Sequence, residues 1–231
     1  MYTQLAASKI VETADRIRQR IVERFPGRGL GKVADELYRI AAESAATAER
    51  LKRPDLRIRT AIGAGILLLV GVAIGALVTI KARVGETASL WDVLQGIEAG
   101  INDVVFLGIG VFFLVTWERR RKRSRALKAL HQLRSLAHVI DMHQLTKDPG
   151  LTIGSGGGTP SSPEPDLTIF ELIRYLDYCS EMLAIVGKIA ALWSETLDDS
   201  VALAAVNEIE ALTAGLSQKI WQKIVIAERM S

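Results

Sequence analysis

Apolar residues along the chain fall into two kinds of pattern: stripes that recur every three or four positions, and two nearly unbroken runs. The stripes predict amphipathic helices. Residues 4–24 carry Leu5, Ile10, Ala14, Ile17 and Ile21 on one face, and Pro26-Gly27-Arg28-Gly29 stops that helix. A second helix over Leu30–Leu51 places Leu30, Val33, Leu37, Ile40 or Ala41, Ala45, Ala48 and Leu51 at the same spacing, and Pro54 predicts a bend after it. Residues 118–146 form a third stripe through Ala126, Ala129, Leu133, Leu136, Ala137 and Ile140. Near the carboxyl end, Ile169, Leu172, Leu176, Cys179, Leu183, Val186, Ala190, Trp193 and Leu197 alternate strictly by three and four, the spacing of a coiled-coil seam. A last helix starts at Asp199 or Ser200, both suitable caps, and continues through Val206, Ile209, Leu212, Leu216, Ile220 and Ile224. The short connection between these two helices predicts an antiparallel hairpin.

The first unbroken run, Ala61–Ile80, has twenty residues and no charge. As a helix it is about 30 Å long, the thickness of a bilayer core, and few small soluble domains could surround it on every side. The second, Val104–Trp117, supplies fourteen residues, about 21 Å. To cross a bilayer it must start near Gly96 and carry Glu98 and Asp103 at its beginning; a short re-entrant segment is the alternative. The flanking charge favours a full span. Arg50, Lys52, Arg53, Arg57 and Arg59 precede the first run, while Arg119, Arg120, Arg121, Lys122 and Arg123 follow the second. Residues 81–99 between the runs have no positive excess. The positive-inside rule then puts both chain ends on the cytoplasmic side of a bacterial inner membrane, with the loop outside.

The expected fold is an all-α integral membrane protein, a two-helix transmembrane hairpin with cytoplasmic amphipathic helices forming a helical bundle. Its expected segments are a helical hairpin (1–58), the membrane hairpin (59–118), a basic juxtamembrane helix (119–147), a flexible linker (148–166) and a second hairpin (167–231). Composition agrees, since aromatic residues are 6% and β-branched runs bounded by turns are scarce. Residues 118–148 hold nine basic and three acidic side chains, whereas residues 149–231 hold five and eleven. Positive charge placed beside apolar runs points to anionic lipid headgroups rather than nucleic acid, for which no recognition module is present. The amino end lacks the charged-then-apolar order of a signal peptide, so the internal runs are expected to direct insertion.

Little in the sequence converges on chemistry. Cys179 is the sole cysteine, which rules out an intrachain disulfide and a Cys-rich metal site; in its apolar seam it reads as packing. His131 and His138 share a helix face with Asp141 nearby, a partial metal set, yet that face lies opposite the apolar stripe, where solvated side chains are ordinary. His143 points elsewhere. Glu208 and Glu210 project from different faces and do not pair, and the Gly-rich linker lacks the Gly-Lys-Ser/Thr ending of a phosphate loop. No catalytic residue, cofactor or metal is expected. Leu176, Leu183, Val186 and Trp193 read as helix packing, with Trp221 in the last stripe; Trp91 and Trp117 suit interfacial anchoring. Gly71 and Gly75 form a G-x-x-x-G pair that packs within the hairpin or drives self-association. The expected function is a membrane-anchored scaffold or protein-interaction module that assembles with itself or a partner. The alternative is a subunit of an oligomeric channel or transporter with Asp103 near the external mouth.

Overall fold

The computed structural model describes residues 5–52, 56–83, 90–152, 159–162 and 166–230, and all regular structure among them is helical. In chain order the helices are α1 (Ala7–Arg24), α2 (Gly29–Lys52), α3 (Leu56–Arg83), α4 (Leu90–Leu145), α5 (Pro149–Thr152), α6 (Ile169–Thr196) and α7 (Ser200–Met230). Close packing divides the chain into two units. Unit 1 holds Met1–Lys52 and Arg123–Ser231, and unit 2 holds Arg53–Lys122, so α4 contributes to both. The predicted bend at Pro54, loop residue Glu86, linker residues 153–158 and 163–165, and the side chains of Arg57, Arg59 and Asp103 lie outside the described residues.

Unit 1 is a helical bundle built around α6. Leu172, Leu176, Cys179, Leu183, Val186, Ala190 and Trp193 are buried, and so are Tyr175, Tyr178, Met182, Ile185, Ile189 and Leu192 outside that row. Helix α6 packs against α1, α2 and α7, which is why its apolar surface is far wider than one seam. The last part of α4 lays Ala126, Leu130, Leu133, Leu136, Ala137 and Ile140 into the same core. Each fully buried Leu, Ile or Val contributes roughly 1.5–3 kcal/mol. Exposed ion pairs such as Lys9–Glu12 (2.8 Å) and Arg134–Glu208 (3.1 Å) add about 0–1 kcal/mol each, so apolar burial decides the fold.

Local chemistry sets the helix ends. After α1, Gly27 takes φ +75°, a left-handed conformation that a side chain would strain. Two residues on, Gly29 brings the α2 backbone onto the His143 ring: a Cβ there would lie 2.8 Å from His143 Cε1. Helix α6 opens with a capping box. Thr168 Oγ1 accepts from the Glu171 N–H (3.3 Å), and the Glu171 carboxylate accepts from the Thr168 N–H (2.9 Å). Asp199, not Ser200, caps α7, its Oδ1 accepting from the N–H groups of Val201 and Ala202 at 3.1 Å each.

Two segments expected to be irregular contain helix. Pro149–Thr152 forms the short α5, because Pro149 presets the first helical φ and Asp148 Oδ1 accepts from the Gly150 N–H at 2.9 Å. Helix α4 begins at Leu90, inside the predicted 81–99 loop, and α3 continues to Arg83. Nothing between Leu90 and Leu145 breaks a helix: proline is absent, and isolated glycines such as Gly96 and Gly100 weaken it by only about 1 kcal/mol each.

In unit 2, α3 and the first part of α4 approach one another at Gly65, where a Cβ would lie 3.4 Å from Leu107 Cδ1. None of this unit's described side chains is buried.

The two roles of Asp199, helix cap and partner of Arg123 at 2.6 Å, can be separated by mutation. Asp199→Ala is expected to lower the unfolding free energy by about 1–2 kcal/mol in chemical denaturation. Asp199→Asn, which keeps an acceptor for the backbone N–H groups, is expected to lose less than half of that. Equal losses would assign the stabilisation to the ion pair instead.

Candidate functional site

The largest chemical anomaly is apolar. On α3, Ile66, Leu67, Leu68, Val70, Val72, Ile74 and Val78 are exposed, and on α4 so are Val104, Val105, Phe106, Ile109, Phe112 and Phe113. Leu67 and Phe106 have 74% and 73% of their surface open, values expected of lysine rather than leucine in water. Contiguous apolar surface of this kind marks a lipid or protein contact. Among the described residues one helix, α4, is long and apolar enough to cross a membrane; its most apolar stretch has mean hydropathy 1.9 and none of it is buried. Helix α3 contributes a shorter described apolar stretch, Thr60–Gly75. The space that a Cβ would fill at Gly71, Gly75, Gly108 and Gly110 is open to 4 Å; Gly65 makes the close approach instead.

The basic run after this surface is not uniform. Arg119, Arg120 and Arg121 are exposed, and Arg121 lies over the Trp117 ring at 5.8 Å. That pairing suits an interface, where the indole meets apolar surroundings and the guanidinium meets water. Lys122 instead pairs with Glu118 at 2.6 Å, and Arg123 belongs to the α7 cap through Asp199. Burial opposes ionisation of Asp199, but the Ala202 N–H, Arg123 and the Val201 N–H outweigh it and hold the carboxyl below its usual range. Trp91 is exposed.

A polar cluster closes one end of the bundle in unit 1. Asp166 accepts from Lys147 Nζ at 2.9 Å and from Arg28 Nη1 at 2.5 Å, and these contacts, Lys147 first, depress its pKa against a smaller effect of burial. Lys147 also sits 5.6 Å from the centre of the buried Tyr175 ring, whose hydroxyl lies 3.3 Å from His143 Nδ1. Burial, and then the charge of Lys147, push the His143 pKa down from 6.5. Lys223 Nζ donates to the carbonyls of Gln144 (2.8 Å) and Lys147 (3.2 Å), supplying positive charge where α4 ends. Nothing here forms a nucleophile–base pair. Sequence reasoning missed the cluster because its members come from four separate segments.

The other candidates fall apart in space. His131 and His138 are exposed, and among the described residues no three His, Cys, Asp or Glu side chains gather to hold a metal ion. Leu176, Leu183, Val186 and Trp193 lie in the α6 core, whereas Trp221 is exposed on α7. Cys179 is buried, and burial pushes its thiol up to about 12. The chain is thus an all-helical bundle joined to a pair of exposed apolar helical segments. No protein-family model, curated protein or solved structure matches it.

Two measurements test this electrostatic arrangement. A histidine whose folded pKa lies below its unfolded value contributes full stability above the unfolded value and loses it as pH falls from there through the folded value. Unfolding free energy is therefore expected to drop as pH falls below about 6.5, and His143→Gln is expected to flatten that dependence in denaturation series. Cys179, protonated and enclosed, is expected to resist alkylation in the native protein and to react fully in denaturant. Rapid native labelling would contradict its position in the core.

Proposed function

We propose that the chain is a non-catalytic, membrane-anchored helical module. Helices α3 and α4 cross the bilayer as a hairpin, and the bundle works on the side that carries the basic clusters. The observation that carries this is the exposed apolar surface of unit 2, with no described side chain buried. In water, each Å² of apolar surface that remains uncovered forgoes roughly 25 cal/mol. Hydrocarbon removes that deficit, and helices meet its requirement that backbone polar groups bond internally. Arg119, Arg120 and Arg121 at the end of the α4 apolar stretch, with Arg50 and Lys52 ahead of α3, give both crossings the same charge polarity. By the positive-inside rule that side is cytoplasmic and holds both ends. A scaffold role, with assembly to a second copy or another protein, is supported by exposed apolar residues of the bundle such as Leu203 and Trp221 on α7 and Met142 on α4. The described polar residues supply no convergent reactive set.

Membranes washed with alkaline carbonate are expected to retain the intact chain. Cysteines introduced singly near residues 8 and 228 of a Cys179→Ala background are expected to label only when the cytoplasmic face is accessible. Release by carbonate, or labelling of the two positions from opposite faces, would remove the hairpin.

A further inference from the structure

We infer that unit 1 carries a binding site for a phosphate-bearing anion between α2, the start of its α4 segment and α6. A cavity of about 420 Å³ opens there. Its cationic rim is Arg50, Arg125 and Lys128, its hydroxyl groups are those of Ser44 and Thr47, and Trp193 forms part of its wall. None of the three cations has a carboxylate partner among the described residues. Arg50 donates only to the Ala46 carbonyl (3.1 Å) and Thr47 Oγ1 (3.4 Å). The one acid on the rim, Glu43, is already paired with Arg39 at 2.5 Å. Positive charge therefore exceeds negative charge around an open space, an arrangement that calls for an anion.

The chemistry of the rim favours phosphate over a lone carboxylate. Two guanidinium forks and one ammonium, with two hydroxyls, match several acceptor oxygens on a tetrahedral group. Ser44 is 3% exposed and has no hydrogen-bond partner among the described contacts, although its hydroxyl can rotate to donate. Ile40, Leu51 and Ala129 give the wall an apolar part beside the amide of Gln132, and that part accommodates an uncharged portion of the ligand. Trp193 itself is a buried part of this wall, and its indole N–H has no acceptor among the described residues.

Two sources could supply this group, a phospholipid headgroup or free phosphate. Arg50 and Arg125 lie close in sequence to the points where the chain passes to unit 2, which favours the headgroup. That source, unlike the charge chemistry of the cavity, rests on the membrane reading above.

The test uses the full-length protein with two probes: phosphatidylglycerol in phosphatidylcholine nanodiscs, counted by native mass spectrometry, and inorganic phosphate, followed by calorimetry. Arg125→Gln with Lys128→Gln removes two rim charges. Ala129→Phe fills the cavity and keeps every charge. Lys32→Gln with Lys219→Gln removes two exposed cations of unit 1 away from the cavity and from the basic run beside the apolar helices, and thermal melts verify folding of all three. Affinity for at least one probe is expected to fall about tenfold in the first two variants and to stay within about twofold in the third. Loss confined to phosphatidylglycerol identifies the headgroup as ligand, and loss confined to inorganic phosphate identifies the free ion. Equal loss in all three variants, which means diffuse attraction to basic surface, would overturn the site, as would failure of the wild type to bind either probe. Carbonate extraction decides the membrane reading separately, and the phosphate measurement does not depend on it.

Discussion

Unit 2 is governed by a mismatch with water: its described apolar side chains stand open, and none of its described side chains is buried. Leu67, Leu68, Phe106, Phe112 and Phe113 stand on α3 and α4 with more than half of their surface open, whereas unit 1 buries Leu172, Leu176 and Leu183 almost completely. The same residue types meet opposite fates because α6 has helices around it, while among the described residues α3 and the first part of α4 meet at Gly65 without burying a side chain. Apolar surroundings supplied from outside, by the bilayer of the proposed function, would give those side chains the environment that burial gives the core. The proposed membrane anchoring also accounts for the charge pattern, since cations that cannot enter hydrocarbon gather at its edge.

The bundle has a different economy of interactions. Its core is contributed by α1, α2, α4, α6 and α7, with α6 at the centre and buried aromatic residues at one end, where Phe25 meets the edges of Tyr175 and Tyr178 at 5.4 and 6.2 Å. Polar groups act at helix termini: Thr168 and Glu171 at the start of α6, Asp199 at the start of α7, Lys223 at the end of α4. Each satisfies backbone groups that the helix itself leaves without partners. Asp199 and Lys223 also join separate elements, so these caps hold tertiary structure as well as local ends.

The cavity rimmed by Arg50, Arg125 and Lys128 shows how a basic segment can differ residue by residue. Arg123 is committed to Asp199 and Lys122 to Glu118, leaving Arg119, Arg120 and Arg121 exposed and Arg125 and Lys128 at a concave surface. A count of positive charges treats these residues as equivalent. Carboxylate partners set Lys122 and Arg123 apart as structural ties, and position at the cavity sets Arg125 and Lys128 apart from Arg119, Arg120 and Arg121.

The helices themselves were legible from spacing alone, because a 3.6-residue period shows which positions share a face. Ile10, Ala14, Ile17 and Ile21 on α1, and Val206, Ile209, Leu216, Ile220 and Ile224 on α7, are buried as their stripes imply. The apolar runs and flanking charges were equally plain, being properties of composition over a short window. Other features depended on long-range contact. Periodicity marked one seam on α6, but only the packing of α1, α2 and α7 around it explains why Tyr178, Met182 and Ile189 are buried too. Spacing likewise set His143 apart from His131 and His138, yet only the fold places it against Gly29, more than a hundred residues earlier, and against Tyr175 on another helix. Local sequence determined which segments are helical and which faces are apolar, because backbone hydrogen bonding and side-chain periodicity act over a few residues. Tertiary structure alone decided which cations are neutralised and where a cavity remains, because those outcomes depend on groups that the chain brings together only when it folds.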